Sequence, residues 1–126
     1  MKDGIFAIYM GNEYEAGLKD DGSFILRSQN SSDAANGFSL YKGQIHIKVV
    51  QRDDLKEVYD ISTLAVYKGI IFRVIKEEKD QLLLCSMKGD YRVFESLGMD
   101  MVDKGVYHKW VSKNDVTALY EEKRPY

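Results

Sequence analysis

The chain contains two similar stretches, and this internal similarity constrains its fold more than any other feature. Residues 7–28 read AIYMGNEYEAGLKDDGSFILRS, and residues 65–86 read AVYKGIIFRVIKEEKDQLLLCS. At a spacing of 58 residues Tyr9 matches Tyr67, and apolar positions match along both stretches. Similarity at a constant spacing is typical of a repeated structural unit. We therefore expect an internal duplication.

The similarity resumes further along the chain at a spacing of 61 residues. Lys48 then matches Lys109, and Gly37 matches Gly98. The second copy thus carries three additional residues between Ser86 and Gly98, which indicates a surface loop because loops tolerate insertions.

Only a few residues separate the two copies, which is too short for a flexible tether between independent bodies. We expect a single domain over residues 1–126. Within it, repeat 1 covers about residues 4–61 and repeat 2 covers about residues 62–124.

Alternating apolar and polar residues predict short β-strands in each copy. In the first copy Tyr14, Ala16 and Leu18 alternate with charged residues, which is typical of a strand with one solvated face. The Asp-Asp-Gly sequence at residues 20–22 predicts a hairpin turn. The equivalent strand at residues 70–75 is apolar on both faces, so we expect it to be covered on both sides.

The end of each copy predicts a short helix. In residues 51–61, Leu55, Val58 and Tyr59 follow the i, i+3, i+4 spacing of an amphipathic helix, and residues 112–123 repeat this spacing. Residues 90–97 predict a further helix in the second copy, whereas residues 30–36 are typical of a loop.

The predicted fold class is α+β and mainly antiparallel β, with internal duplication of a β-β-β-loop-β-α unit packed as one domain. Two tandem SH3-like barrels are the competing architecture.

Composition and charge narrow the function classes. The net charge is −2, from 18 basic and 20 acidic residues, which does not favour general nucleic-acid binding. No apolar run approaches the roughly 18 residues of a membrane span, and the N-terminus lacks a signal-peptide pattern. Cys85 is the single cysteine, so we expect no disulfide, a buried thiol and a cytoplasmic location.

Motifs for catalysis or metal binding are not recognisable. His46 and His108 fall at non-equivalent repeat positions, and we expect both to be strand residues at boundary positions. Neighbouring carboxylates on a strand point to opposite faces, so the acidic pairs are poor acid–base dyads. The sequence also lacks a phosphate loop and a nucleophile elbow. We expect no enzymatic activity, no metal and no cofactor.

Aromatic and charged residues where the copies differ are candidate anchors for a partner, since tyrosine, tryptophan and arginine dominate interface energetics. The candidate partner-binding residues are Tyr41, Lys42, Tyr91, Arg92, Asp100, Asp103, Tyr107 and Trp110.

The patterns AIYMGNEYEAG…FILRS, AVYKGIIF and GVYHKWVSKNDVTALYEEKRP resemble small duplicated bacterial immunity proteins of polymorphic or contact-dependent toxin systems. The resemblance implies a cytoplasmic protein that binds a cognate toxin domain and neutralises it by protein–protein interaction. It includes no catalytic signature. The alternative function is an SH3-like interaction module, or a nucleic-acid-binding module, of unknown partner.

Overall fold

A computed structural model describes all residues from 1 to 126, and the chain divides into two compact units. The first unit comprises Gly4–Ile61 together with Lys123–Tyr126. The second unit comprises Met1–Asp3 together with Ser62–Glu122. No helix is long and apolar enough to cross a membrane.

Strands dominate both units. The strands are β1 (Gly4–Tyr9), β2 (Asn12–Leu18), β3 (Phe24–Ser28), β4 (Ser39–Tyr41), β5 (Ile45–Val50), β6 (Glu57–Tyr67), β7 (Ile70–Glu78), β8 (Gln81–Ser86), β9 (Asp100–Asp103), β10 (Val106–Ser112) and β11 (Val116–Pro125). The helices are α1 (Tyr91–Ser96) and the 3₁₀ helices Ser31–Asn36, Arg52–Asp54 and Lys113–Asp115.

In the first unit the strands are ordered β4-β5-β3-β2-β1-β6, and the neighbours pair in antiparallel fashion. Side chains on one face of this sheet form the core of the unit. The core comprises Ala7, Tyr14, Ala16, Phe24, Leu26, Phe38, Val50, Leu55 and Val58.

In the second unit the order is β6-β7-β8-β10-β9, again with antiparallel neighbours. Strand β11 pairs with β6. The core comprises Ala65, Tyr67, Phe72, Val74, Leu82, Leu84, Phe94, Met99, Tyr107 and Val111.

The mainly antiparallel β class and the positions of the predicted strands are confirmed. Tyr14 and Ala16 are buried on β2 while Glu13 and Glu15 are exposed, as the alternating pattern predicts, but Leu18 at the end of the strand is 51% exposed. The turn between β2 and β3 is also as expected, since Gly22 adopts a φ of +88°. A left-handed φ of this kind is accessible to glycine without steric cost.

The helices predicted at the end of each copy are wrong. Residues 51–61 form the short 3₁₀ helix Arg52–Asp54 and then enter β6, and residues 112–123 form Lys113–Asp115 and then β11. The apolar residues of this segment have helical spacing, but the backbone is extended and pairs with β1. Val58, for example, lies opposite Ala7 on that strand. Because β-branched and aromatic side chains favour extended backbone, pairing overrides the helical spacing.

The helix predicted in residues 90–97 is confirmed as α1, where Asp90 accepts a hydrogen bond from the backbone N–H of Arg92 at 2.9 Å. The loop predicted at residues 30–36 is instead the 3₁₀ helix Ser31–Asn36. Asn30 begins it by accepting a hydrogen bond from the backbone N–H of Ser32 at 3.0 Å. The three-residue strand β4 and the four-residue strand β9 were not predicted.

Two further expectations are corrected. Strand β7 is not covered on both faces, because Ile71 is 59% exposed. The tandem SH3-like barrels are not observed either, because the strand order of each unit is open.

Candidate functional site

A pocket of about 650 Å³ lies in the first unit, lined by β2, β3 and the 3₁₀ helix Ser31–Asn36. Its lining is mainly polar and includes the carboxylates of Glu13, Glu15 and Asp33 together with the guanidinium of Arg27. Pockets of this volume fall within the range of ligand-binding sites.

Asp33 is the buried carboxylate of this pocket, with 7% of its surface exposed. Its Oδ1 accepts hydrogen bonds from the Tyr14 hydroxyl at 2.8 Å and from Asn36 Nδ2 at 2.9 Å. Its Oδ2 accepts a hydrogen bond from the Ser28 hydroxyl at 2.5 Å. Three uncharged donors therefore surround one carboxylate.

These donors favour the ionised form of Asp33. The hydrogen bond from Ser28 contributes most, followed by those from Asn36 and Tyr14, and together they hold the pKa of the Asp33 carboxyl below its ordinary value. Burial and the bond to Asp33 raise the pKa of Tyr14 to about 12. The pair therefore remains a protonated phenol and a carboxylate near neutral pH.

Local structure explains why Asp33 points inward. The 3₁₀ helix ends at Gly37, which adopts a φ of +88° and donates its N–H to the carbonyl oxygen of Ala34. Phe38 then enters the core, and its N–H donates to the carbonyl oxygen of Asp33 at 3.2 Å. These contacts hold the C-terminal end of the helix against the core, with Asp33 as its buried residue.

A second polar contact lies nearby in the same unit. The Tyr59 hydroxyl donates to Glu13 Oε2, and the ammonium of Lys123 lies 3.8 Å from the centroid of the Tyr59 ring. Burial, followed by the interaction with Glu13, raises the pKa of Tyr59 to about 12. Glu13 is therefore positioned as an acceptor at the pocket wall.

The second unit has no equivalent of the Asp33 cluster. The rings of Phe72 and Phe94 pack edge to face, with their centroids 6.1 Å apart, inside the apolar core. The first unit thus contains a polar pocket, whereas these two rings of the second unit lie in an apolar core.

Seven of the eight residues predicted as partner anchors are exposed. Tyr41 is 48% exposed, Tyr91 56% and Trp110 38%. The other exposed positions are Lys42, Arg92, Asp100 and Asp103. Tyr107 is a wrong prediction: it is 6% exposed, and its ring packs against Phe94 with the centroids 5.3 Å apart.

The contacts of these residues are with near neighbours in the chain or on the adjacent strand. Lys42 Nζ lies 5.4 Å from the Tyr41 ring centroid in the first unit. In the second unit Arg92 forms an ion pair with Asp90 at 3.0 Å, and Trp110 lies opposite Leu83 on the neighbouring strand.

Sequence reasoning missed the Asp33 pocket. The donors Tyr14 and Ser28 are brought to Asp33 only by the fold. The loop predicted at residues 30–36 implied a solvated Asp33, whereas the 3₁₀ helix Ser31–Asn36 buries it.

The histidines and the cysteine occupy the predicted environments. His46 and His108 are half-buried strand residues, and Cys85 is buried with 7% exposure. Burial raises the pKa of the Cys85 thiol. No group of three or more His, Cys, Asp or Glu side chains is arranged to hold a metal ion.

Comparison with known proteins gives a family but no activity. One family model matches residues 1–126, and its description is "Uncharacterised conserved protein UCP033725". No curated protein and no solved structure matches the chain.

Proposed function

This chain belongs to that uncharacterised family, and we propose that it is an immunity protein that binds and neutralises a cognate bacterial toxin domain by protein–protein interaction. The proposal places the protein in the cytoplasm and assigns it no chemistry of its own. Binding alone neutralises a toxin when the inhibitor covers the toxin's active site.

The observation that carries the proposal is the polar pocket of the first unit. A buried carboxylate with three neutral donors is costly compared with an apolar core of the kind that the second unit builds from Phe72 and Phe94. Such a costly arrangement is typical of a recognition site rather than of a scaffold.

The electrostatics of the pocket favour a basic group on the partner. Three carboxylates and one guanidinium line it, so the lining carries a net negative charge at neutral pH. Charge complementarity of this kind accelerates association and rejects unsuitable partners. We propose that a lysine or arginine side chain of the toxin domain enters the pocket.

We also infer that the two units arose by duplication, which supports different roles for them in binding the partner. The pairing of Ala7 with Tyr14 recurs 58 residues later as Ala65 with Phe72. Further pairs correspond at the repeat spacings: Glu15–Arg27 with Arg73–Cys85, Leu26–Lys48 with Leu84–Lys109, and Leu40–His46 with Met101–Tyr107.

A side-chain contact recurs as well. Lys48 Nζ donates to the carbonyl oxygen of Asn36 at 3.4 Å, and Lys109 Nζ donates to that of Leu97 at 2.6 Å. Both acceptors lie at or next to the last residue of a short helix. In this inference the shared contacts form the scaffold, and the Asp33 pocket of the first unit forms the site.

The exposed anchors then contribute contact area around the charged site. Trp110 and Tyr91 are the large aromatic candidates of the second unit, and Tyr41 is that of the first. A stable complex is expected to bury more than about 1,000 Å² in total.

The direct test is co-expression with the toxin domain encoded next to this gene. Survival of the host and inhibition of the purified toxin domain are the two measurements. We expect the wild-type protein to protect, Glu15→Lys to lose protection because it reverses the charge at the pocket wall, and Asp53→Lys to retain it. Asp53 is a matched control because it is an exposed acid of the same unit outside the pocket.

Two outcomes would contradict the proposal. One is unchanged toxin activity in the presence of the folded wild-type protein. The other is a gene whose neighbours encode no toxin domain and whose deletion leaves the cell equally sensitive to sister cells.

A further inference from the structure

Three basic side chains converge on a second concave surface of the first unit, which we call the basic groove. It has a volume of about 350 Å³ and is lined by Arg52, Lys56, Glu57, Val58, Tyr59, Lys123, Pro125 and Tyr126. The groove has three cations and one carboxylate, so its net charge is positive. The chain as a whole carries a net charge of −2.

Two of the three cations are held in place. Arg52 Nη1 donates to the carbonyl oxygen of Leu55 at 3.3 Å, and Lys123 Nζ lies over the Tyr59 ring. The backbone N–H of Tyr126 donates to the carbonyl oxygen of Val58 at 2.9 Å, which holds the C-terminal residue against β6.

None of these three cations has an acidic partner. Ion pairs elsewhere in the chain include Arg73 with Asp3, Lys76 with Glu78, Arg92 with Asp90 and Lys113 with Glu77. The contacts made by Arg52 and Lys123 are to a carbonyl oxygen and an aromatic ring, neither of which is an anion. Three cations that outnumber the single carboxylate of the groove favour an anionic ligand.

We propose that the basic groove binds the phosphate group of a small phosphomonoester. Arginine offers paired N–H donors that match the oxygens of a phosphate, and lysine adds a compact charge. A volume of about 350 Å³ is at the lower end for ligand sites, which favours a small ligand over an extended polymer.

The other residues of the groove refine the ligand class. Glu57 is an acceptor for a hydroxyl group of the ligand, and its charge disfavours a second phosphate. The Tyr126 ring is 52% exposed and packs edge to face against Phe24 with the centroids 6.2 Å apart, so it offers an apolar wall. A phosphorylated polyol or sugar combines these features. This inference rests on the basic groove alone and is independent of toxin neutralisation.

The test is titration of the ¹⁵N-labelled protein with inorganic phosphate and with glycerol phosphate, followed by amide shifts. We expect saturable shifts at Val58, Tyr59 and Tyr126, with glycerol phosphate binding more tightly than inorganic phosphate. Arg52→Gln and Lys56→Gln should each weaken binding by about tenfold, because each removes a charged donor. Lys19→Gln is the matched control, since Lys19 is an exposed lysine of the same unit outside the groove.

Circular dichroism of each variant establishes that it is folded before the comparison is made. Shifts that grow linearly without saturation would overturn the proposal, as would equal weakening by Lys19→Gln. Binding of a single-stranded oligonucleotide with no saturable binding of either small phosphate would overturn it as well, in favour of nucleic acid. A failed toxin-neutralisation assay would leave these titrations unaffected.

Discussion

The hydroxyl of Tyr14 donates a hydrogen bond to Asp33 Oδ1 over 2.8 Å in the first unit. In the second unit, the rings of Phe72 and Phe94 pack together in an apolar core. The polar contacts of the first unit and the apolar packing of the second lead to four predictions.

Replacing Asp33 with alanine is expected to destabilise the protein by about 3 kcal/mol, because it leaves the hydroxyls of Tyr14 and Ser28 without their acceptor in a buried site. Urea unfolding monitored by circular dichroism measures the change. Asp20→Ala is the control and is expected to change stability by less than about 0.5 kcal/mol, since Asp20 is exposed. Equal midpoints for the two variants would refute the structural role of Asp33.

Acid stability should depend on Asp33. Its folded-state pKa lies below the ordinary value of 3.8, so its contribution is fully present above that pH and is lost as the pH falls through the folded pKa. In Asp33→Asn, the loss of stability below about pH 3.8 is expected to be less steep than in the wild type. Unfolding free energies measured from pH 5 to pH 2 test this, and parallel curves would contradict it.

Alkaline stability should depend on Tyr14. Its pKa rises from 10.0 to about 12 in the folded protein, so its contribution is present below pH 10 and is lost as the pH rises towards 12. The wild type should lose about 2 kcal/mol more than Tyr14→Phe over this range. Because the pKa of Tyr59 is also raised to about 12, the comparison is best made in a Tyr59→Phe background. Absorbance at the phenolate band reports the ionisation directly.

Gly89 should tolerate no side chain, because it adopts a φ of +134° and an added Cβ would lie 2.7 Å from Cζ of Phe94. Phe94 is buried, so its ring has little freedom to move. Gly89→Ala is expected to destabilise the protein by about 2–3 kcal/mol.

Gly105 provides the matched comparison for that experiment. Its φ is +73°, but an added Cβ there meets nothing within 4 Å. Gly105→Ala should therefore cost only about 1 kcal/mol of backbone strain. A thermal melting temperature for Gly89→Ala equal to that of Gly105→Ala would show that the contact with Phe94 carries no penalty.

Much of the strand pattern could be predicted from local sequence. The alternation around Tyr14 predicts a strand because successive side chains of a strand point to opposite faces. The Asp-Asp-Gly sequence predicts a turn because few residues other than glycine tolerate a left-handed φ. Helix α1 was predictable for the same reason, since Asp90 begins it and Gly98, with a φ of +78°, follows it.

The ends of the two copies could not be predicted in this way. The spacing of Leu55, Val58 and Tyr59 is compatible with a helix and with a strand. The strand forms because Val58 pairs with Ala7 on β1. Ile71 is exposed for the same kind of reason, because an apolar residue on a strand is covered only if another element packs on that face.

The sequence by itself determined the repeat spacings, the strands with clear alternation and the turn at residues 20–22, because these depend on side chains close together in the chain. The tertiary structure alone decided that Tyr107 is core and that Asp33 is a buried acceptor. Burial depends on contacts between residues far apart in sequence, such as Tyr14 with Asp33. From the sequence alone, a charged residue in a polar segment is expected to be solvated. Only the fold brings together the donors that make its burial possible.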